Sequence, residues 1–187
     1  MENQRKKKLS EMTIEELWEL FPIILTEHKS DWTDRYQEEV AVLKSILPPS
    51  VRYYHVGSTA IDGIRAKPIV DLLIVVTSDR EQKGVADLLQ KNGYLLMART
   101  DKRISLNKGY TENGFAESVF HLHVRLEGDV DELYFRDYLN AHPEIAKEYE
   151  KLKLRLWKEY EHNRDAYTEA KTEFVKKYTS LAKQELP

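Results

Sequence analysis

Hydrophobic residues in the middle of the chain recur with the spacing of β-strands, and the runs between them have helical spacing. The run IVDLLIVV at residues 69–76 is almost wholly apolar and rich in β-branched residues, which is typical of a strand buried on both faces. Ser78 caps the helix that follows, and Asn113-Gly114 is a turn signal before the last strand. Strands are predicted at residues 51–56, 69–76, 94–98, 103–108 and 119–126.

Helical spacing dominates both ends of the chain. Thr13 and Glu16 have capping-box spacing and open a short helix, and a second helix begins near Ser30 and stops at Pro48. From about residue 130 the pattern is helical, with Pro143 at the first position of one helix. One continuous last helix is predicted from the apolar face formed by Tyr167, Ala170, Phe174, Tyr178 and Leu181.

This order of elements predicts an α+β domain with a mixed β-sheet, flanking helices and a helical C-terminal extension. Residues 1–30 are expected to form a polar tail and the short helix, and residues 31–187 the domain with its C-terminal helices. A length of 187 residues fits one domain. Hydrophobic residues make up 41% and charged residues 33% of the chain, which is typical of a globular rather than a disordered protein.

Composition excludes several classes of function. The formal net charge is −3, whereas a protein that coats nucleic acid carries a basic excess, so no nucleic-acid partner is expected. The chain has no cysteine, which excludes disulfides, thiolate nucleophiles and cysteine-based metal sites. No apolar run approaches the ~20 residues of a membrane span, and the N-terminus lacks a signal-peptide pattern. A cytoplasmic protein without membrane association is therefore expected.

Asp71 is the only charged residue in the apolar run 69–76. An ionised carboxylate in such a strand is strongly destabilising unless it meets a cation, a metal ion or hydrogen-bond donors. Two interpretations stay open. Asp71 forms a structural ion pair with Lys67 or Arg65 that fixes the preceding loop, or it belongs to a functional site.

The loop before Asp71 is rich in turn-forming residues and follows a strand directly. Gly57 lets a ligand approach the backbone, and Ser58 with the neighbouring amides can hold a phosphate. Lys67 and Arg65 add positive charge for the same anion. The interval from Ser58 to Asp71 is long enough to return the chain so that the carboxylate lies near the Gly-Ser turn.

The strand at residues 119–126 carries polar side chains on one face, because His121, His123 and Arg125 alternate with apolar residues. Together with Asp71, the two histidines form a chemically sensible site for one transition-metal ion, which histidine prefers to magnesium. The alternative is that the histidines only hydrogen-bond to their neighbours. Arg125 fits a contact to a phosphate or carboxylate beside them.

Several ungapped motifs resemble the GrpB family of nucleotidyltransferase-like proteins. They are HVGST and AKPIVD at residues 55–59 and 66–71, HLHV at 121–124, FRDYL and AHP at 135–139 and 141–143, and YTEAK at 167–171. The resemblance covers about residues 31–180 and leaves the N-terminal helix outside. It implies a nucleotidyltransferase-like fold, in which a Gly-Ser turn precedes a strand with two carboxylates that hold magnesium at nucleotide phosphates.

The resemblance and the residue chemistry together imply a site for a nucleoside triphosphate or another phosphorylated small molecule. The expected assignments are catalytic roles for Asp71 and Lys67, nucleotide or phosphate contacts from Gly57, Ser58, Thr59, Arg65 and Arg125, and a divalent metal ion (Mg, Mn or Zn) at Asp71, His121 and His123.

The sequence departs from the superfamily pattern where the second carboxylate would stand, at Leu73. Leucine cannot bind magnesium, so two functions stay open. One is nucleotidyl transfer with a divalent metal ion, and the other is a catalytically inactive module that binds nucleotide or protein. The histidine spacing is also similar to histidine-triad nucleotide hydrolases, but Arg125 stands in the third place. A third possibility is that the helical tail mediates self-association as a homodimer.

Overall fold

A mixed five-stranded sheet forms the centre of the computed structural model, which describes residues 7–185. The strands are β1 (Arg52–Val56), β2 (Val70–Val76), β3 (Leu95–Arg99), β4 (Arg103–Thr111) and β5 (Gly114–Leu126). They lie in the order β1-β2-β5-β4-β3. β2 pairs in parallel with β5, and the other neighbours pair antiparallel. The predicted α+β fold with a mixed sheet is confirmed, and β4 and β5 extend further than the sequence pattern indicated.

Seven α-helices flank the sheet within residues 7–185. They are α1 (Ile14–Leu20), α2 (Asp31–Ile46), α3 (Asp79–Lys91), α4 (Asp131–Ala141), α5 (Pro143–Tyr160), α6 (Arg164–Glu169) and α7 (Thr172–Glu185). None of these helices is long and apolar enough to cross a membrane.

Local signals set where several helices begin. The Thr13 hydroxyl accepts a hydrogen bond from the Glu16 amide, and the Glu16 carboxylate accepts one from the Thr13 amide, at 3.2 and 2.8 Å. Ser78 caps α3 by accepting from the amide of Glu81. Pro143 occupies the first turn of α5, where its missing N–H leaves no hydrogen bond unmade. These three predicted helix starts are confirmed, and so is the start predicted near Ser30, since α2 begins at Asp31.

The buried strand β2 explains why helices cover both faces of the sheet. Apart from Asp71, its residues are at most 2% exposed. Leu72 packs in a core with Trp32 of α2 and with apolar residues of α3. Leu73 points the other way and packs in a cluster with Leu133 of α4. Because the face under α2 and α3 is mainly an apolar core, the polar side chains of β2 and β5 lie on the face covered by the C-terminal helices.

The C-terminal segment differs from the single last helix that the apolar stripe predicted. A turn at Ala170 and Lys171 separates α6 from α7. Tyr167 packs beside Ile23, whereas Phe174 packs in the core between α4, α5 and α7. The prediction was wrong because the apolar residues of α6 and α7 share one helical spacing although the two helices bury them in different cores. No glycine or proline between the helices marks the break.

Two segments outside the predicted helices and strands are also ordered: the loop between β1 and β2, and residues 22–30 before α2. The loop after β1, predicted from its turn-forming residues, contains a 3-10 turn at Ser58–Ala60. Residues 22–30 pack onto the domain, since Ile23 is 1% exposed and Thr26 pairs with Ala66 through backbone hydrogen bonds of 2.9 and 3.0 Å. The predicted polar tail over residues 1–8 lies mostly outside the described residues.

Gly109 and Gly84 provide a matched pair of variants that tests whether the bulge in β4 requires glycine. Gly109 has φ +91° at a β-bulge of β4, and a Cβ there would collide with the Ser118 carbonyl and lie 3.0 Å from Cα of Val119. Gly84 lies exposed inside α3 with no neighbour within 4 Å of such a Cβ. Gly109→Ala should lower the free energy of unfolding by more than about 1 kcal/mol, whereas Gly84→Ala should raise it by up to about 1 kcal/mol.

Urea denaturation of the two variants beside the wild type checks both signs. An unchanged midpoint for Gly109→Ala would contradict the bulge geometry.

Candidate functional site

The pairing of β2 with β5 brings the predicted carboxylate and histidines together. The strands run parallel with Asp71 opposite His121 and Leu73 opposite His123. Side chains alternate along a strand, so all four point to the same face of the sheet. Oδ1 of Asp71 lies 3.3 Å from Nδ1 of His121 and 3.1 Å from Nε2 of His123. One carboxylate oxygen is therefore shared by two imidazoles.

Further partners fix which nitrogen of each imidazole carries its hydrogen. Nε2 of His121 lies 2.8 Å from the Tyr110 hydroxyl and 3.2 Å from Nη2 of Arg164. Nδ1 of His123 lies 3.4 Å from Nη2 of Arg125. A guanidinium can only donate, so each histidine accepts on that side and donates its other N–H to the shared carboxylate.

The charge state of this cluster follows from its contacts. Burial raises the pKa of Asp71, but the hydrogen bonds donated by His121 and His123 outweigh it and hold that pKa well below its usual range. Burial lowers the pKa of His121, against the effect of the carboxylate beside it. At neutral pH the cluster therefore contains an ionised Asp71 and an uncharged His121.

The donor set does not fit the predicted divalent metal ion. Leu73, at the position of the missing carboxylate, is fully buried in an apolar cluster. Within residues 7–185, no group of three or more histidine, aspartate, glutamate or cysteine side chains is arranged to hold a metal ion. The nitrogens of His121 and His123 that face Asp71 carry hydrogen. The arrangement therefore gives Mg, Mn or Zn no ready set of ligands.

The Gly57-Ser58 turn lies directly against Asp71, as the loop length predicted. Gly57 has φ +71°, a conformation that favours glycine, and a Cβ there would collide with Oδ2 of Asp71. The Ser58 side chain lies beside Tyr149, whose pKa burial raises to about 12 while Ser58 opposes the rise. Any side chain at position 57 would thus cover the carboxylate.

A cavity of about 880 Å³ adjoins this cluster. Its lining comes from β2, β5, the Gly57-Ser58 turn and helices α4 to α7. Four cationic side chains line it without forming an ion pair to any carboxylate of residues 7–185: Lys67, Lys153, Arg164 and Lys171. Other cations of its lining are paired, namely Arg103 with Asp129, Lys176 with Glu173 and Lys183 with Asp131.

Burial and mutual repulsion lower the pKa of the unpaired lysines. Burial lowers the pKa of Lys153 to about 7, and nearby Lys171 adds to the shift. Burial lowers the pKa of Lys171 to about 8, with Arg164 adding and Asp71 opposing. Burial and the same cationic neighbours hold the pKa of Lys67 well below its usual range. The cavity therefore groups basic side chains without carboxylate partners among residues 7–185, and their low pKa values mean that a bound anion would favour their protonated forms.

Aromatic rings support the unpaired lysines. Nζ of Lys171 lies 4.3 Å and Nζ of Lys67 5.5 Å from the centroid of the Tyr167 ring. Nζ of Lys153 lies 4.9 Å from the centroid of the Tyr149 ring and donates to the Arg65 carbonyl. Ring faces attract cations, so these contacts hold the ammonium groups in place without cancelling their charge.

Arg65 and Thr59, predicted to contact a phosphate, are placed elsewhere. The Arg65 guanidinium pairs with Glu27 at 2.7 Å near the surface and does not line the cavity. At Arg65 the backbone carbonyl contacts Lys153 of the site, whereas the side chain points away to Glu27. The Thr59 hydroxyl is buried and lies 2.9 Å from Nε2 of His55. Neither side chain is available to a ligand in the cavity.

Arg125 shares the histidine face as predicted but lies beneath the cavity. It is 5% exposed and donates to the carbonyl of Ile104 at 3.0 Å and to the carboxylate of Glu132 at 3.3 Å. It also donates to the carbonyl of Val124 at 3.2 Å and to Nδ1 of His123. Because these acceptors use its N–H groups, Arg125 orients His123 instead of meeting a ligand anion.

The sequence interpretation missed what α5 to α7 contribute. Lys153 stands in a helical run with many other charged residues, and no local signal separates it from them. Arg164 follows Asn163, which caps α6. The motif YTEAK contains Tyr167 and Lys171, and it was the one available signal that this end of the chain belongs to the site.

Comparison with known proteins agrees with this fold. The family model described as GrpB protein matches residues 22–181. Glutamate-rich protein GrpB of Alkalihalophilus pseudofirmus is 35% identical over 160 residues, which are 82% of this chain and 91% of that protein. The UPF0157 protein YqkA of Bacillus subtilis is 34% identical over 166 residues, covering 87% of this chain but only 47% of that longer protein.

Solved structures give the same result. The crystal structure of the conserved protein GrpB from Enterococcus faecalis matches with a TM-score of 0.73 at 29% identity, covering 85% of this chain and 96% of that one. A structure of Cid1, described for its RNA terminal uridylyl transferase activity, matches with a TM-score of 0.50 at 14% identity over 70% of this chain and 40% of that one. The second likeness shows the fold alone. The chain therefore belongs to the GrpB protein family and has a nucleotidyltransferase-like fold.

Proposed function

We propose that this chain binds a nucleotide or another phosphorylated small molecule in the cavity beside Asp71, without a divalent metal ion. The observation that carries the proposal is the group of four cations, Lys67, Lys153, Arg164 and Lys171, that face the cavity without a carboxylate partner. Buried charges are strongly destabilising unless they are paired. A bound anion would neutralise them, so these side chains fit a ligand with several negative charges.

Phosphate groups suit this arrangement better than a single carboxylate. The cations come from three places, the loop before β2, helix α5 and the α6–α7 segment, so they can contact an anion from several directions. The Gly57-Ser58 turn adds a hydroxyl and backbone close to the same space. A volume of about 880 Å³ also leaves room for an organic group beyond the phosphates.

Magnesium-dependent nucleotidyl transfer is not part of the proposal. That reaction places metal ions between carboxylates and phosphates, and Leu73 removes one carboxylate while two histidines occupy Oδ1 of the other. In this site the lysines and Arg164 would provide the positive charge that metal ions provide elsewhere.

The first prediction concerns affinity. Isothermal titration with ATP, GTP, CTP, UTP and pyrophosphate, with and without Mg, Mn or Zn, should show binding that does not require the metal. Lys171→Met should weaken that binding by about tenfold or more, because it removes one charge-assisted hydrogen bond. Lys158→Met is the matched control, since Lys158 lies exposed on α5, and it should leave the affinity unchanged.

Absence of binding by every phosphate would overturn the proposed function. Binding that appears only with a metal ion, and disappears in Asp71→Asn, would restore the metal site that the donor geometry argues against.

The second prediction concerns pH. Lys153 and Lys171, with pKa values of about 7 and 8, lose their protons as pH rises, so the affinity for ATP should fall between about pH 7.5 and 9.5. Phosphate groups keep a constant charge above their second pKa of about 6. Glu150 and Asp71 also face these lysines, oppose their pKa shifts and stay ionised throughout this range.

The stability of the ligand-free protein should change with pH in the opposite direction to its affinity for ATP. Over this range the unfolded chain keeps its lysines protonated while the folded chain binds fewer protons, so the free energy of unfolding should rise with pH. Thermal unfolding at several pH values, with and without ATP, measures both slopes. An affinity that stays constant over this range would show that neither lysine contributes to the site.

A further inference from the structure

The two oxygens of Asp71 have different surroundings. Oδ1 accepts N–H groups from both His121 and His123. Oδ2 accepts no hydrogen bond from any residue between 7 and 185, although it belongs to a carboxylate that lines the cavity. An ionised oxygen in a partly desolvated place is stabilised by a donor, and here that donor must come from outside the described side chains.

Gly57 keeps this oxygen open. A Cβ at position 57 would collide with Oδ2 and would lie 2.9 Å from Cβ and Cγ of Asp71. The glycine therefore lets the turn lie close to the carboxylate without a side chain over Oδ2. Its φ of +71° brings the backbone to this position without a side chain that would cover the oxygen.

The histidines also cannot turn away to free Oδ1 without losing other contacts. Tyr110 and Arg164 hold the far nitrogen of His121, and Arg125 holds that of His123. The carboxylate is thus fixed with Oδ1 occupied, while Oδ2 lies beside the Gly57 turn without a hydrogen bond from residues 7–185, in a residue that lines the cavity.

The structure assigns Oδ2 of Asp71 as the acceptor for a hydroxyl or ammonium group of the ligand. Because this rests on the proposed function, the substrate class is a phosphorylated compound that also carries a free hydroxyl or amine. Its phosphate lies among Lys67, Lys153, Arg164 and Lys171, and its donor group reaches Asp71. A ligand with phosphate alone would leave the carboxylate beside an anion and without a donor.

Three small phosphates separate these contributions. Propyl phosphate has no donor on its carbon chain, glycerol 3-phosphate has two hydroxyls, and 3-aminopropyl phosphate has an ammonium group. For the wild type, the second and third should bind about tenfold or more tightly than the first, as expected for a hydrogen bond to a charged group. NMR titration reads affinities in the millimolar range.

Asp71→Asn is the sharpest variant. Its amide oxygen can still accept from His121 and His123, while its NH₂ group replaces the free oxygen and reverses the hydrogen-bonding role of that position. Glycerol 3-phosphate and 3-aminopropyl phosphate should lose the extra affinity, whereas propyl phosphate should bind as well as before or better, because a negative charge has been removed.

The histidine tautomers provide the structural control. Nitrogen-15 NMR of the imidazoles should show hydrogen on Nδ1 of His121 and on Nε2 of His123, in the wild type and in Asp71→Asn. If the variant does not fold, the comparison of the three phosphates on the wild type still tests the inference.

The outcomes separate the two proposals. If no phosphate binds, ATP included, the proposed function fails and this inference fails with it. If phosphates bind but propyl phosphate binds as tightly as the other two, or Asp71→Asn changes all three affinities equally, the anion site stands and the role of Oδ2 is wrong.

Discussion

The parallel pairing of β2 with β5 is the constraint on which the site depends. It sets Asp71 opposite His121 in the central part of the sheet, so that a carboxylate lies in the middle of an apolar strand with donors beside it. A shift of the register by one residue would turn the histidines to the opposite face, where α2 and α3 form an apolar core. The buried strand therefore tolerates its only charge because the neighbouring strand supplies the compensating hydrogen bonds.

The helices that follow β5 enclose a cavity beside this polar cluster. α4 and α7 pack on each other through aromatic and aliphatic residues, so the apolar face of the tail is used within the chain. The same helices, with α5 and α6, place Lys153, Arg164 and Lys171 around the carboxylate. Tyr149 and Tyr167 hold the lysine ammonium groups over their rings. Apolar and aromatic packing thus holds these basic side chains close together although they repel one another.

Much of the fold followed from local patterns, whereas the cavity wall did not. A continuous apolar run identified β2, alternation identified β5, and the polar face of β5 identified His121 and His123 as neighbours of Asp71. The spacing of apolar residues could not show that the last helix divides, because that depends on which core each turn enters. It also could not show that Arg125 lies under the sheet face, bound to Glu132, since a strand position gives the direction of a side chain but not its partners.

Leu73 shows how one nucleotidyltransferase-like fold can support a different electrostatic arrangement. With two carboxylates on β2, the site would attract cations and would need metal ions before it could accept phosphates. With Leu73 the strand keeps a single carboxylate, both of its imidazole neighbours donate to it, and the charge of the cavity becomes positive through Lys67, Lys153 and Lys171. Under the proposed function, a negative ligand would then bind directly to these basic side chains. Under the proposed function, Leu73 therefore accounts both for the lack of a second carboxylate on β2 and for phosphate binding by protein side chains alone, and its apolar packing makes it part of the core.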